Sequence, residues 1–200
     1  MKTIVYDIEI RRCIGSHEGF LSCDGWTDFA GMGISTLGWT RFNEQEPIVC
    51  DWHADPIRQA RFTEDAASHL VAGFNSRNFD DKVLAANGVS VTTGYDILLE
   101  IRRAALGGFS SRKSGYSYTV EKVAQANGLT KSSEDSRNAP KLWQLGEFSR
   151  VIDHCRNDVF VEAGLLRLGL AGLLIDPNTK RYLELRPLAD YRQEYEEAGV

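Results

Sequence analysis

Apolar runs and small-to-large alternation divide the first half of the chain into short extended segments. Residues 3–10 are mostly β-branched or aromatic and are broken only by two acids, which predicts a buried strand. Residues 29–42 and 48–52 are predicted as the next two strands, and 70–74 as a fourth. Three successive strands predict an antiparallel meander, to which later strands add in parallel.

Helical spacing replaces alternation in the second half of the chain. Asn87-Gly88 and Gly128 mark two helix ends, because glycine readily takes the left-handed conformation that closes a helix. This order of strands and helices predicts an α/β fold with helices flanking a mixed central sheet. The predicted helices span 62–71, 79–86, 95–106, 120–127 and most of 142–175.

Length and composition fit one soluble domain. The 200 residues are 42% hydrophobic and 26% charged, enough for a real core. We expect a domain over residues 1–176 and a charged C-terminal extension over 177–200. The formal net charge of -5 does not exclude a nucleic-acid partner, because bound cations reverse the local effect of carboxylates. Without a membrane-length apolar run or a signal peptide, we expect a cytoplasmic protein with no membrane partner.

The four cysteines are too few and too scattered for a disulfide framework, so we expect reduced thiols. Zinc binding by cysteine and histidine is an alternative. The irregular spacing favours ordinary loop and core thiols over a zinc site. The residues that such a site would use are Cys13, His17, Cys23, Cys50 and His53.

Three distant segments of the sequence contain acidic residues whose local spacing suggests a function. Asp7 and Glu9 lie two apart on the first strand, so both leave the same face, which is costly unless metal or solvent reaches them. Asp80 opens a helix, where it also fits as an N-cap. His154 and Asp158 share a helix face, a spacing also typical of surface pairs. Gathered together, such carboxylates suit Mg²⁺ or Mn²⁺.

In this order, the segments resemble the DEDD superfamily of 3′→5′ exonucleases, which have the ribonuclease H-like fold. The first motif, Asp-x-Glu on the first strand, is matched by Asp7-Ile8-Glu9. The second, Asn-x2–3-Phe-Asp, is matched by Asn75 and Phe79-Asp80. The third is an acid preceded by Tyr four residues earlier or by His five residues earlier. It is matched by His154-x3-Asp158, and the resemblance extends over about residues 3–172.

One further segment and one departure refine the resemblance. The segment GYDILLEIRRA, which contains Asp96, resembles the tyrosine branch related to family B polymerase proofreading domains. The third motif has the spacing of that branch but the residue of the histidine branch. One helical position rotates a side chain by about 100°. We therefore expect His154 to orient the attacking water in place of Tyr or to act as general base, with loss of function as the alternative.

The resemblance implies an enzyme, a two-metal-ion 3′→5′ exonuclease. It would release nucleoside 5′-monophosphates from single-stranded DNA, with Asp7, Glu9, Asp80 and Asp158 holding two Mg²⁺ or Mn²⁺ ions. The alternatives are an RNA 3′→5′ exonuclease, a non-catalytic nucleic-acid-binding module of the same fold, and a structure-selective endonuclease. DNA repair, recombination and mobile-element functions fit equally well. The sequence does not indicate an oligomeric state.

Five residues are candidate substrate contacts. The resemblance places the second motif, and with it Asn75 and Phe79, at the terminal-nucleotide pocket, although Phe79 also fits as core. Ile8 is a further candidate that fits better as core. Arg112 and Lys113 lie in a flexible basic segment flanked by aromatic residues. This mixture suits single-stranded nucleic acid, whose bases stack on rings, and an ordinary solvated loop is the alternative.

Overall fold

The computed structural model describes residues 1–44, 46–109, 111–132 and 136–190. Its strands are Thr3–Ile10 (β1), Cys13–Ile14 (β2), Ser22–Cys23 (β3), Ile34–Arg41 (β4), Ile48–Asp51 (β5), Leu70–Gly73 (β6), Tyr95–Asp96 (β7), Leu174–Ile175 (β8) and Tyr182–Leu183 (β9). Its α-helices are Phe29–Met32 (α1), Pro56–Ser68 (α2), Asp80–Ala86 (α3), Ile97–Leu106 (α4), Val120–Ala126 (α5), Ala139–Gln144 (α6) and Phe148–Leu170 (α7).

The central sheet has five strands in the order β5-β4-β1-β6-β7. The first three form an antiparallel meander, and β6 and β7 continue from β1 in parallel. Strand β1 is central, which explains its nearly continuous apolar sequence, since a strand covered on both faces has no solvent side. The predicted architecture, a mixed α/β sheet of an antiparallel three-strand meander plus parallel strands flanked by helices, is confirmed, and it is consistent with the expected ribonuclease H-like fold.

Helix α7 packs directly on the middle of the sheet because one sheet residue has no side chain. A Cβ atom at Gly38 on β4 would lie 2.9 Å from Val159 and 3.0 Å from the Cys155 Sγ, both on α7. Gly38 is also the register partner of Asp7 on β1. This close approach brings α7 to the part of β1 that carries the acids.

The opposite face of the sheet has an aromatic core. Phe62 of α2 contacts Tyr6 of β1 and Trp39 of β4, with ring centroids 5.7 and 5.5 Å apart, and all three side chains are fully buried. Buried aromatic surface of this size contributes a large share of core stability. This core holds β1 in place. Because side chains alternate along a strand, Asp7 and Glu9 point to the face on which α7 packs.

Several element boundaries differ from the sequence prediction, and the helix predicted over most of 142–175 is two helices, α6 and α7, followed by strand β8. The segment predicted as one strand over 29–42 begins with the short helix α1, because the Asp28 carboxylate accepts the Gly31 N–H at 2.9 Å and caps it. Helix α2, predicted over 62–71, starts earlier, at Pro56, where Asp55 is the N-cap and accepts the Arg58 N–H.

The segment after α7 pairs back onto the domain. Strands β8 and β9 are antiparallel, and Leu183 and Leu185 are buried in the core beneath α7. Arg186 Nη2 lies 2.6 Å from Oε1 of the fully buried Glu100. The end of the predicted extension, 191–200, lies outside the described residues. Among the helices of the described ranges, none has the length and apolar character needed to cross a bilayer.

Candidate active site

Helix α7 supplies three polar residues that face β1. His154, Asp158 and Glu162 follow one another at four-residue spacing, so they share one face, and all three are buried. His154 Nε2 lies 3.3 Å from Glu9 Oε1 and 3.5 Å from Asp158 Oδ2. Glu9, His154 and Asp158 each offer a ligand atom, and these atoms all lie within 4.8 Å of one another. The first and third motif segments therefore meet.

A tight turn after β6 brings the second motif to the same place. Asn75 has left-handed backbone geometry, with φ of 65°. The buried Asp96 carboxylate accepts the Asn75 N–H at 3.1 Å and the Arg77 N–H at 3.3 Å, which fixes the turn. Asp80 is the first residue of α3, whose N-cap is Phe79, so Asp80 is not the simple N-cap that was its alternative interpretation. Asp80 is only 5% exposed.

The gathered carboxylates make their own ionised forms unfavourable. Burial, reinforced by neighbouring acids, raises the pKa of Asp7, Glu9 and Glu162 well above the ordinary values. Glu162 is the neighbouring charge with the largest effect on the pKa of Asp7. Burial also raises the pKa of Asp80 to about 7. The site is thus set up to take protons or cations.

Two buried carboxylate oxygens identify where cations fit. Asp7 Oδ2 and Asp158 Oδ1 are inaccessible to solvent and accept no hydrogen bond from any described residue. Buried polar atoms in proteins are nearly always paired, so unpaired acceptors beside other carboxylates indicate ligand positions. Carboxylate oxygens are the ligands that Mg²⁺ and Mn²⁺ prefer. The residues therefore fit a divalent cation.

The zinc alternative gains no support in the described ranges. All four cysteines are buried free thiols. The candidate metal group found there is Glu9, His154 and Asp158, and it includes no cysteine. His53 Nε2 instead lies 3.0 Å from Arg11 Nη1. The interpretation as loop and core thiols is the one that agrees with this geometry.

Lys131 is a site residue that the sequence analysis missed. Its Nζ lies 3.0 Å from Asp158 Oδ2 and 3.1 Å from Glu121 Oε1, and it donates a hydrogen bond to Ser136 Oγ at 3.2 Å. Burial alone would lower the pKa of Lys131, but Asp158 and Glu121 outweigh burial and raise it. Lys131 lies in a polar segment without periodicity, so no local pattern indicated it.

Glu162 is the second residue missed. Its Oε2 accepts the N–H of Phe74 at 3.1 Å, which joins α7 to the end of β6 beside the second motif. Glu162 is 4% exposed. Its position one helical turn after Asp158 was the available signal, because it places both acids on one face.

The acidic residues line a cleft of about 1450 Å³. The predicted substrate contacts also line it: Ile8, Asn75, Phe79, Arg112 and Lys113. Ile8 is both lining and core, since only 4% of it is exposed. Lys113 Nζ donates a hydrogen bond to the Tyr116 hydroxyl at 3.0 Å.

His154 lies deeper than the residues of the cleft wall. The residue is 2% exposed, and its Nε2 faces Glu9 and Asp158. On the other side of the ring, Nδ1 lies within hydrogen-bond distance of Ser132 Oγ. Because His154 lies one helical turn before Asp158 on α7, its ring contacts the carboxylates of both Asp158 and Glu9.

No protein-family model matches the chain, and no curated protein matches its sequence. Solved structures of Trypanosoma brucei RNase D resemble its fold. One has a TM-score of 0.47 and 15% identity, over 96% of this chain and 70% of the other. A second, of the RNase D–GMP complex, has a TM-score of 0.42 and 16% identity, over 96% and 61%. These values describe similarity of overall shape, and the site is assigned on this chain's own geometry.

Proposed function

We propose that the chain is a metal-dependent 3′→5′ exonuclease, a phosphodiester hydrolase that releases nucleoside 5′-monophosphates from single-stranded DNA ends. The observation that carries this proposal is the convergence of acids from three distant segments in one cleft, with Asp7 Oδ2 and Asp158 Oδ1 buried and unpaired among the described residues. Acids with a purely structural role would be hydrogen-bonded.

The four motif acids would hold two Mg²⁺ or Mn²⁺ ions. When bound, such ions activate water and neutralise the charge that develops on the phosphoryl group. Asp7 and Glu9 come from β1, Asp80 from the start of α3 and Asp158 from α7, so the ligands sit on rigid elements rather than on loops. Rigid placement of ligands is what catalysis by positioned charge requires.

His154 would act on the same centre. Ser132 and the two neighbouring carboxylates hold its ring on both sides. In the proposed mechanism, the imidazole donates from Nε2 to Glu9 and Asp158 and keeps both carboxylates in position, so that it orients the attacking water through them.

Single-stranded DNA is the proposed substrate because the segment around Asp96 resembles the proofreading branch. The cleft adds basic side chains, Arg112 and Lys113, for the phosphate backbone. RNA is the alternative, and contacts to the 2′-hydroxyl decide between the two.

A second candidate function is nucleic-acid binding without hydrolysis. It is favoured by the ion pair between Lys131 and Asp158, at 3.0 Å, because an ammonium group that neutralises a motif acid could replace a metal ion. Such a module would bind the strand in the same cleft and leave it intact.

A time course on 5′-labelled DNA and RNA oligonucleotides with Mn²⁺ distinguishes these functions. A descending ladder that Asp7→Ala abolishes supports the exonuclease, and the faster substrate identifies the nucleic acid. Asp153→Ala is the matched control, since Asp153 lies on the same α7 but has a side chain that is 71% exposed. Binding without cleavage by the folded wild-type protein would favour the second candidate.

A further inference from the structure

Trp26 is a large aromatic residue left in solvent at the cleft. It is 68% exposed, and its side chain forms part of the same lining as Asp80 and Asp158. Exposing an indole ring forfeits the stabilisation that its burial would provide. Trp26 lies in the wall of the cleft, where a bound ligand would cover its exposed ring.

The turn that carries Trp26 is held in place by hydrogen bonds. The Asp28 carboxylate accepts the N–H of Asp24 at 3.0 Å and the N–H of Gly31 at 2.9 Å, so it ties both sides of the turn to the start of α1. These bonds lower the pKa of Asp28, which keeps the carboxylate ionised and accepting at neutral pH. The ring is thus presented on an ordered support, and a bound group would pay little to order it.

Trp26 also contacts the second motif. Its ring and that of Phe79 pack edge to face, with centroids 6.3 Å apart and planes at 63°. Phe79 immediately precedes Asp80, so this pair of rings borders the carboxylate cluster. The two rings make an aromatic platform next to the acids.

Other parts of the cleft lining provide the complementary charge. Arg102 and Arg112 both line it, and in the described ranges no acid forms an ion pair with either of them. Two guanidinium groups without acidic partners suit phosphates. A cleft that offers both an aromatic platform and free guanidinium groups matches a single strand, which presents bases and phosphates together.

We propose that Trp26, supported by Phe79, stacks against an unpaired nucleobase of the strand that enters the cleft. This inference rests on the proposed function and adds Trp26, which lies outside the motif residues, as a base-binding residue. Stacking on a ring is tolerant of base identity, so the site would raise affinity for single strands without reading their sequence.

The test is a scan of missing bases. Fluorescence anisotropy of a 5′-labelled DNA oligonucleotide is measured with the full chain carrying Asp7→Asn, in Mg²⁺, so that binding is read without hydrolysis. Single abasic sites are placed at each of the last four nucleotides. At the position that stacks on Trp26, the missing base should weaken binding about 5- to 150-fold.

Trp26→Leu should remove most of this penalty at that position and leave the penalties at the other positions unchanged. Phe148→Leu is the matched control, because Phe148 also pairs with a tryptophan, Trp143, at 4.5 Å, but neither ring lines the cleft. Trp26 is exposed, so its replacement should not alter folding, which circular dichroism checks.

The outcomes separate this inference from the proposed function. If the oligonucleotide binds but Trp26→Leu changes no abasic penalty, base stacking on Trp26 is refuted and the exonuclease proposal stands. If neither the Asp7→Asn protein nor the wild-type protein in EDTA binds the oligonucleotide, the stacking inference and the proposed DNA substrate are both overturned.

Discussion

The carboxylates of the cleft form two halves that differ in how their charge is balanced. In the first half, Glu9 and Asp158 meet basic groups: His154 Nε2 lies 3.3 Å from Glu9, and Lys131 Nζ lies 3.0 Å from Asp158. We call this the cation-paired half. Lys131 neutralises part of the charge of this half within the protein itself.

Asp7, Asp80 and Glu162 make up the second half, which we call the cation-free half. Within the described ranges, no Lys, Arg or His forms an ion pair with any of the three. Burial raises the pKa of each of these acids. Burial also raises the pKa of Glu9 and Asp158, so the two halves differ in their basic partners and not in burial, and the cation-free half depends more strongly on protons or a divalent ion.

The largest expected effect is on catalytic activity. The comparison of the two halves also predicts that two substitutions change the stability of the metal-free protein in opposite directions. Asp7→Asn and Asp158→Asn should each lower activity at least about 10³-fold, or about 4 kcal/mol, because each removes a proposed metal ligand. In the metal-free protein at pH 8, Asp7→Asn should stabilise, since it removes an unpaired buried charge. Asp158→Asn should destabilise, since it leaves Lys131 without one of its partners.

Urea unfolding in EDTA measures these stability changes, which we expect to be about 1–3 kcal/mol in either direction. Asp153→Asn is the control for a carboxylate on α7 that faces solvent. Equal shifts of the same sign for Asp7→Asn and Asp158→Asn would show that the two halves do not differ.

The pH dependence of stability gives an effect of intermediate size. The pKa of Asp80 is raised from 3.8 to about 7 in the folded chain, and that of the buried Asp96 to about 6. Between the unfolded and folded pKa values the folded state binds more protons, so the contribution of these two acids to stability falls as pH rises from about 4 to about 7, and Asp7, Glu9 and Glu162, whose pKa values are also raised, add to the fall. Asp80→Asn should remove part of this fall, and the part due to Asp96 should persist.

Metal should oppose this fall, because it binds the ionised carboxylates. At pH 8, Mn²⁺ at about 100 times its dissociation constant should add about 2.7 kcal/mol, which corresponds to about 5–10 °C in Tm. Thermal unfolding with and without EDTA at pH 5 and pH 8 measures both effects. A metal-induced shift as large at pH 5 as at pH 8 would contradict a site made of raised-pKa acids.

Local patterns were sufficient for the fold and for much of the site. The apolar sequence of β1 and the two-residue spacing of Asp7 and Glu9 determine both a strand and the face of its acids. The four-residue spacing of His154 and Asp158 on α7 similarly determines a shared face. The catalytic and metal-binding roles of these residues stay predictions.

The parts that were missed depend on contacts between distant segments. Lys131 reaches Asp158 from a polar loop, and Trp26 reaches Phe79 from a turn that Asp28 organises. The same Asp28 cap converts the start of the predicted strand over 29–42 into helix α1. Loop residues carry no periodicity, so nothing in their own neighbourhood indicates which distant group they meet.

The smallest expected effect is on metal affinity, and it compares the two halves most directly. Lys131→Met removes a cation that competes with metal for Asp158, so Mn²⁺ should stabilise this variant more than the wild type. Glu162→Gln removes a negative charge from the cation-free half, so Mn²⁺ should stabilise it less. Each difference should be roughly 0.5–1 kcal/mol, the size of one partly screened charge interaction. Calorimetric titration of the metal-free proteins with Mn²⁺ gives the corresponding affinities. Opposite shifts support competition between Lys131 and metal, whereas a weaker affinity in both variants would mean that Lys131 supports the metal site by holding Asp158 in position.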